Sequence, residues 1–246
     1  MEDLNKKIKD FLNNIDPETL KIIRISDMLP KLIRNFLISN ILSEISLDKD
    51  TYNNEINNFY LKNKLNKNDN LNKLLKARGI NEKDLQYKII LNIKINKFAE
   101  ENFEKELKDY FLQQKEFLDE YTFNIIRVKN SFLANELYFQ IDCKESEFQI
   151  LSEKYSFYSP LYPNGKFGPS NLKGFNPIIR NKLFSENVGN LIKPFQVEEW
   201  WLLIKLIEKK HAKLDKKTSK MLLKEIFDKF INRLVKSCIE DYLNIY

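Results

Sequence analysis

Glycine and proline are scarce in this chain, with 5 and 7 among 246 residues, and histidine occurs once. A lone histidine, His211, leaves no pair to hold a metal or to work as an acid/base couple. Cys143 and Cys238 are the two cysteines. Neither stands in metal or redox spacing, so thiols in a reducing compartment are expected. No apolar run approaches the ~20 residues that span a bilayer. The first residues, MEDLNKKIKDFLNNIDPETL, hold no apolar core and no cleavage site, and a cytoplasmic location is expected from them. Phosphate loops, zinc spacings and nucleotide fingerprints are missing, so neither a cofactor nor a metal is expected.

What is present is the material of a packed core. Hydrophobic residues make up 43%, with 18 Phe and 11 Tyr, which a disordered chain would lack. Net charge is +6. Residues 1–120 carry 21 Lys+Arg against 21 Asp+Glu, and the excess gathers in residues 208–246, with 10 against 6. That basic end has no interleaved aromatics to stack on bases, so it reads as a solvated helix face and no nucleic-acid partner is expected. The carboxylate pairs Glu100-Glu101 and Glu198-Glu199 read as solvated helix or turn positions.

Four of the glycines and five of the prolines fall between residues 160 and 194. Only there does the chain need repeated tight turns. The pattern predicts helical arms around a compact α+β insert. Helix starts are expected at Asp16-Pro17, near Pro30, at Asp48 or Asp50, at Asn81 and at Asn176-Pro177. Gly79 is expected to stop a helix over Leu71–Ala77. A long helix from Asn81 through Phe98 is expected, then a separate one through Leu107, Tyr110, Phe111 and Leu118. At Tyr121 the period changes, and TFNIIRV reads as a strand. Helices follow over Asn130–Cys143 and Ser146–Tyr155, the second led by a Ser146/Gln149 capping box. After the Gly/Pro loop come a helix, then the strands LIKPFQV and WWLLIKLIE. One long helix with an apolar stripe closes the chain from Asp215.

This order resembles the parvulin family of peptidyl-prolyl isomerases. SEFQILSEKYS is similar to the family's helix ending in Tyr-Ser. NGKFGPS is similar to its Gly-x-Leu-Gly turn, through Gly165, Phe167 and Gly168. NPIIRNKLFSENVGNLIKPF is similar to its next segment, with Gly189 and Pro194 in step. The helical flanks resemble those of SurA-type chaperones. The resemblance implies a mostly helical, SurA-like module over residues 1–119, a parvulin-like domain with a small antiparallel sheet flanked by helices over 120–213, and a C-terminal helix, 214–246, packing on the first module.

It also implies where a site would lie. The family's two histidine positions fall on Ile125 and Leu202, and its Cys/Asp position falls near Tyr158. Catalytic side chains of the usual kind are therefore missing, and weak or absent isomerase activity is implied. The proline-pocket positions fall on Phe167, Ile179 and Leu183, with Trp201 beside Leu202. Together with Tyr158 these are the candidate substrate-binding residues. The implied partner is an unfolded or extended client polypeptide, proline-containing segments included. Three functions stand open: a foldase or chaperone with a degenerate isomerase site, an isomerase using a rearranged site with the Tyr158 hydroxyl, and a non-catalytic docking subunit that delivers a client peptide to a maturation or export machine.

Overall fold

Asp16, Asp48, Asn130, Asn176 and Asp215 each accept a backbone N–H from two or three residues further along. A helix starts at each, because the first turn has donors with no partner inside the helix. The structure is a computed structural model and describes residues 2–65, 68–157 and 163–243. Along the chain lie α1 (Glu2–Asn13), α2 (Pro17–Ile25), α3 (Leu29–Ile41), α4 (Lys49–Lys62), α5 (Asn68–Arg78), α6 (Glu82–Leu118), β1 (Glu120–Val128), α7 (Ser131–Asp142), α8 (Phe148–Tyr155), β2 (Lys166–Ser170), α9 (Pro177–Phe184), β3 (Leu191–Val197), β4 (Trp200–Lys210) and α10 (Lys216–Leu243). The chain is of the α+β class, mostly helical with one small antiparallel sheet.

Two local expectations are corrected. The helices expected on either side of residue 100 are a single one, α6, of 37 residues. No glycine or proline interrupts Glu82–Leu118, so nothing ends the hydrogen-bond ladder. The capping box at Ser146 does not form. Glu147 is the N-cap of α8 and makes no side-chain cap bond, while the Ser146 N–H donates to the Gln140 carbonyl, closing the turn after α7. At Asn81 the cap is reciprocal: its amide oxygen accepts from the Asp84 N–H, and the Asp84 carboxylate accepts from the Asn81 N–H.

The chain divides into two units, Met1–Lys108 with Asp215–Tyr246, and Asp109–Leu214. In the first, α10 packs against α3 and α1. Arg34 on α3 reaches Asn232 at 2.8 Å and pairs with Asp228. Phe98, Phe103, Phe227 and Phe230 form an aromatic cluster with centroids 5.5–6.4 Å apart. Ile56, Leu85, Ile89 and Ile90 make a second core between α4 and α6.

The second unit holds the sheet, in the order β2-β1-β4-β3 with every neighbour antiparallel. Side chains alternate between its faces. Tyr121, Phe123, Ile125, Leu202, Ile204 and Leu206 point to one face, which α9 covers through Leu183 and Ile179. Ile126, Val128 and Leu203 point to the other, under α7 and α8. Gly165, at φ +68°, lies where the returning loop crosses α8 and β1. A Cβ there would collide with the Ser152 hydroxyl and come within 2.8 Å of the Ile125 carbonyl oxygen.

Gly165→Ala is expected to lower stability by about 2–3 kcal/mol, from left-handed backbone strain plus overlap. Urea denaturation checks it, and an unchanged midpoint contradicts it. The cap hydrogen bonds, the Thr19, Thr51 and Thr218 backbone N–H groups first, hold the Asp16, Asp48 and Asp215 carboxyls below their ordinary value of 3.8. Their stabilisation is present above 3.8 and is lost as pH falls through the lowered values. Helical circular dichroism is expected to decline there, and less so when all three are Asn.

Candidate functional site

Alternation along β1 and β4 decides which side chains share a cleft. Phe123, Ile125 and Arg127 of β1 and Trp200 and Leu202 of β4 line a cavity of about 620 Å3. Phe167 of β2, Phe175 and Ile179 around the start of α9, and Val197 at the end of β3 complete its apolar wall. Phe123, Phe167 and Phe175 meet pairwise, with ring centroids 5.1–6.0 Å apart. Such a lining dehydrates whatever enters and favours an apolar guest.

Trp200 forms one edge. The Arg127 guanidinium lies 3.9 Å from its ring centroid and the Phe157 ring lies 4.7 Å away. A cation on the indole face fixes the ring and shields one side of it. Three polar residues of the rim, Ser170, Asn171 and Asn176, bond to nearby backbone. Asn176 caps α9, the Asn171 amide oxygen accepts from the Lys173 N–H, and the Ser170 hydroxyl donates to the Asn171 carbonyl. Glu198 sits in the β3–β4 turn with left-handed backbone, φ 54°.

Ile125 and Leu202, where the resemblance puts the histidines, both line this cavity and are 6% and 3% exposed. Phe167 and Ile179 join them. Leu183 lies in the core beneath, fully buried. Trp201 lies on the opposite face, against Leu203 and Ile126, because consecutive residues of a strand point apart. Its neighbour Trp200 is the cleft tryptophan. Tyr158 lies outside the described residues. Phe123, Arg127, Phe175 and Trp200 were not among the expected site residues. Parity was the available signal for three of them: Phe123 and Arg127 fall in step with Ile125, and Trp200 with Leu202.

His211 is engaged elsewhere. Its Nδ1 lies 2.8 Å from the Asp119 carboxylate, which also accepts the Ala212 N–H at 2.9 Å. Asp119 is buried and His211 mostly exposed. The carboxylate therefore ties the entry to β1 to the exit from β4. Nearby, Tyr121 is fully buried and its hydroxyl has no partner among the described residues. Burial first, then the Asp119 and Glu116 carboxylates, push its ionisation well above the ordinary tyrosine value. No group of three His, Cys, Asp or Glu able to hold a metal occurs among the described residues.

No family model and no curated protein matches the sequence. The solved structures it is similar to are PrsA and SurA-like proteins of the parvulin type. One is the peptidylprolyl isomerase PrsA from Bacillus anthracis, 20% identical with a TM-score of 0.48, covering 87% of this chain and 97% of that one. Another is the foldase protein PrsA from Streptococcus pneumoniae, 17% identical with a TM-score of 0.43, covering 88% and 84%. A third comes from a pair described as SurA-like chaperones of Campylobacter jejuni, 14% identical with a TM-score of 0.35, covering 87% and 92%. At such identities the likeness says nothing of chemistry.

Asp119→Ala is expected to cost about 1–3 kcal/mol, since it strands a backbone N–H and removes a charged acceptor. His211→Ala is expected to cost less, because the Ala212 N–H keeps its acceptor. Thermal unfolding of the two variants checks the order, and equal losses contradict it.

Proposed function

We propose that this chain is a SurA- and parvulin-like foldase or chaperone that holds extended client segments in an isomerase cleft that has lost its catalytic groups. One observation carries the reading: the floor of the cleft at the two histidine positions is Ile125 and Leu202, apolar and almost fully buried. Turning an X-Pro bond crosses a barrier of ~18–20 kcal/mol, and each tenfold gain in rate takes ~1.4 kcal/mol from it. A site does this by desolvating the amide and placing polar groups at its carbonyl. Here the dry apolar half persists. At the rim the Asn171 and Asn176 amide oxygens accept backbone N–H groups, and the Ser170 hydroxyl donates to the Asn171 carbonyl.

Binding is a different matter from turnover. Burying an apolar side chain of the client in the cavity is worth about 1.5–3 kcal/mol, enough for weak, reversible holding and no more. No helix of the described residues is long and apolar enough to cross a membrane. Cytoplasmic residence belongs to the same proposal. Cys143 is an exposed free thiol and Cys238 a buried one. Burial first, then the Asp241 charge, push the Cys238 thiol up, which keeps it protonated and slow to oxidise. One of the Campylobacter jejuni pair is described as periplasmic.

A protease-coupled proline isomerisation assay tests the proposal, with Tyr158→Phe alongside. The expected rate equals the uncatalysed rate, in both proteins, while aggregation of an unfolded client is suppressed. Acceleration that disappears in Tyr158→Phe would establish the rearranged-site isomerase instead. No acceleration and no suppression of aggregation would point to the docking subunit.

A further inference from the structure

A second cavity, of about 660 Å3, lies wholly within the helical unit, between the end of α3, the start of α4 and one face of α6. Its floor is apolar, from Leu42, Leu47 and Ile90. Lys83 and Lys94 stand at its two ends, both on α6. Eleven residues is just over three helical turns, so the two lysines point within about 20° of each other, about 16 Å apart along the axis. Among the described residues, no acidic side chain lines the cavity. The acids beside Lys83 in sequence are engaged elsewhere: Glu82 accepts from the Tyr60 hydroxyl and Asp84 from the Asn81 N–H. Lys94 makes a long contact, 3.4 Å, to the Leu42 carbonyl just past the end of α3.

An apolar trough with a cation at each end and no anion of its own is complementary to a guest of opposite pattern. We propose that this groove binds an extended peptide segment with apolar residues in the middle and an acidic residue at each end. An extended chain advances about 3.3 Å per residue, so a 16 Å span sets the two acids about five residues apart. The site is separate from the sheet cleft and stands whether or not that cleft holds peptide. It would give the helical unit a preference by charge spacing, where the cleft selects on apolar character alone.

The test is fluorescence anisotropy with the full chain and labelled twelve-residue peptides. The first holds two Glu five residues apart around Leu residues. In the second the Glu are replaced by Lys, and in the third they stand two apart. The first peptide is expected to bind tightest, by about tenfold over the second, and to weaken as NaCl rises, because exposed charges are screened. Lys83→Glu, at an exposed position, is expected to reduce that binding about five- to tenfold. The same variant should improve binding of the Lys peptide, a gain that loss of folding cannot mimic. Equal affinity for the three peptides, no binding of the first, or indifference to Lys83→Glu would overturn the proposal.

Discussion

The pairing of β1 with β4 is the constraint on which the sheet unit depends. It runs from Glu120 opposite Lys210 to Val128 opposite Trp201, and it joins the first strand of the unit to its last. Everything between the two strands, some seventy residues, must form a closed excursion that returns in register. A slip of β1 by one residue would send Phe123 and Ile125 to the face under α7 and α8, and Ile126 to the cleft face. Asp119 reinforces that closure at its open end, where one carboxylate holds both His211 and Ala212. The cleft is thus a consequence of register. Its floor is set by which residues of the central pair point away from α7 and α8.

From this follows the division of labour in the unit. One face is a buried core with two helices laid on it. The other is half core and half cleft, because α9 is short and leaves the Phe123, Phe167 and Phe175 rings in reach of a guest. Arg127 and Phe157 hold Trp200 at the margin. Such a site offers a dry wall and a fixed edge.

Most of this order was legible in the sequence, because strands and helices carry different periods. TFNIIRV, LIKPFQV and WWLLIKLIE are β1, β3 and most of β4, and the helix starts at Asp16, Asp48, Asn81 and Asn176 follow from capping chemistry. Cap residues act locally, so neighbours in sequence suffice to read them. The failures are of another kind. The Ser146 box lost to a turn in which the Ser146 N–H reaches back to Gln140, a competition between two local bonds of similar strength. The unbroken α6 shows that a change in apolar phase does not end a helix when no breaker is present. In the cleft, Trp201 was preferred to Trp200 although strand parity with Leu202 favours Trp200. Parity puts Arg127 on the cleft face, but nothing local says that its guanidinium will lie on an indole 73 positions away.

The two tryptophans also provide the most direct measurement, since they are adjacent in sequence and point to opposite faces of the sheet. Their indole N–H groups give two signals in a nitrogen-15 correlation spectrum, assigned by single Trp→Phe variants. On titration with an apolar, proline-containing peptide, the Trp200 signal is expected to shift and saturate while the Trp201 signal stays in place. The peptide's own cis and trans signals should show no added exchange. A shift at Trp201 alone, or no shift at either, would contradict binding in the cleft. Rapid exchange between the peptide's isomers would contradict the loss of catalysis.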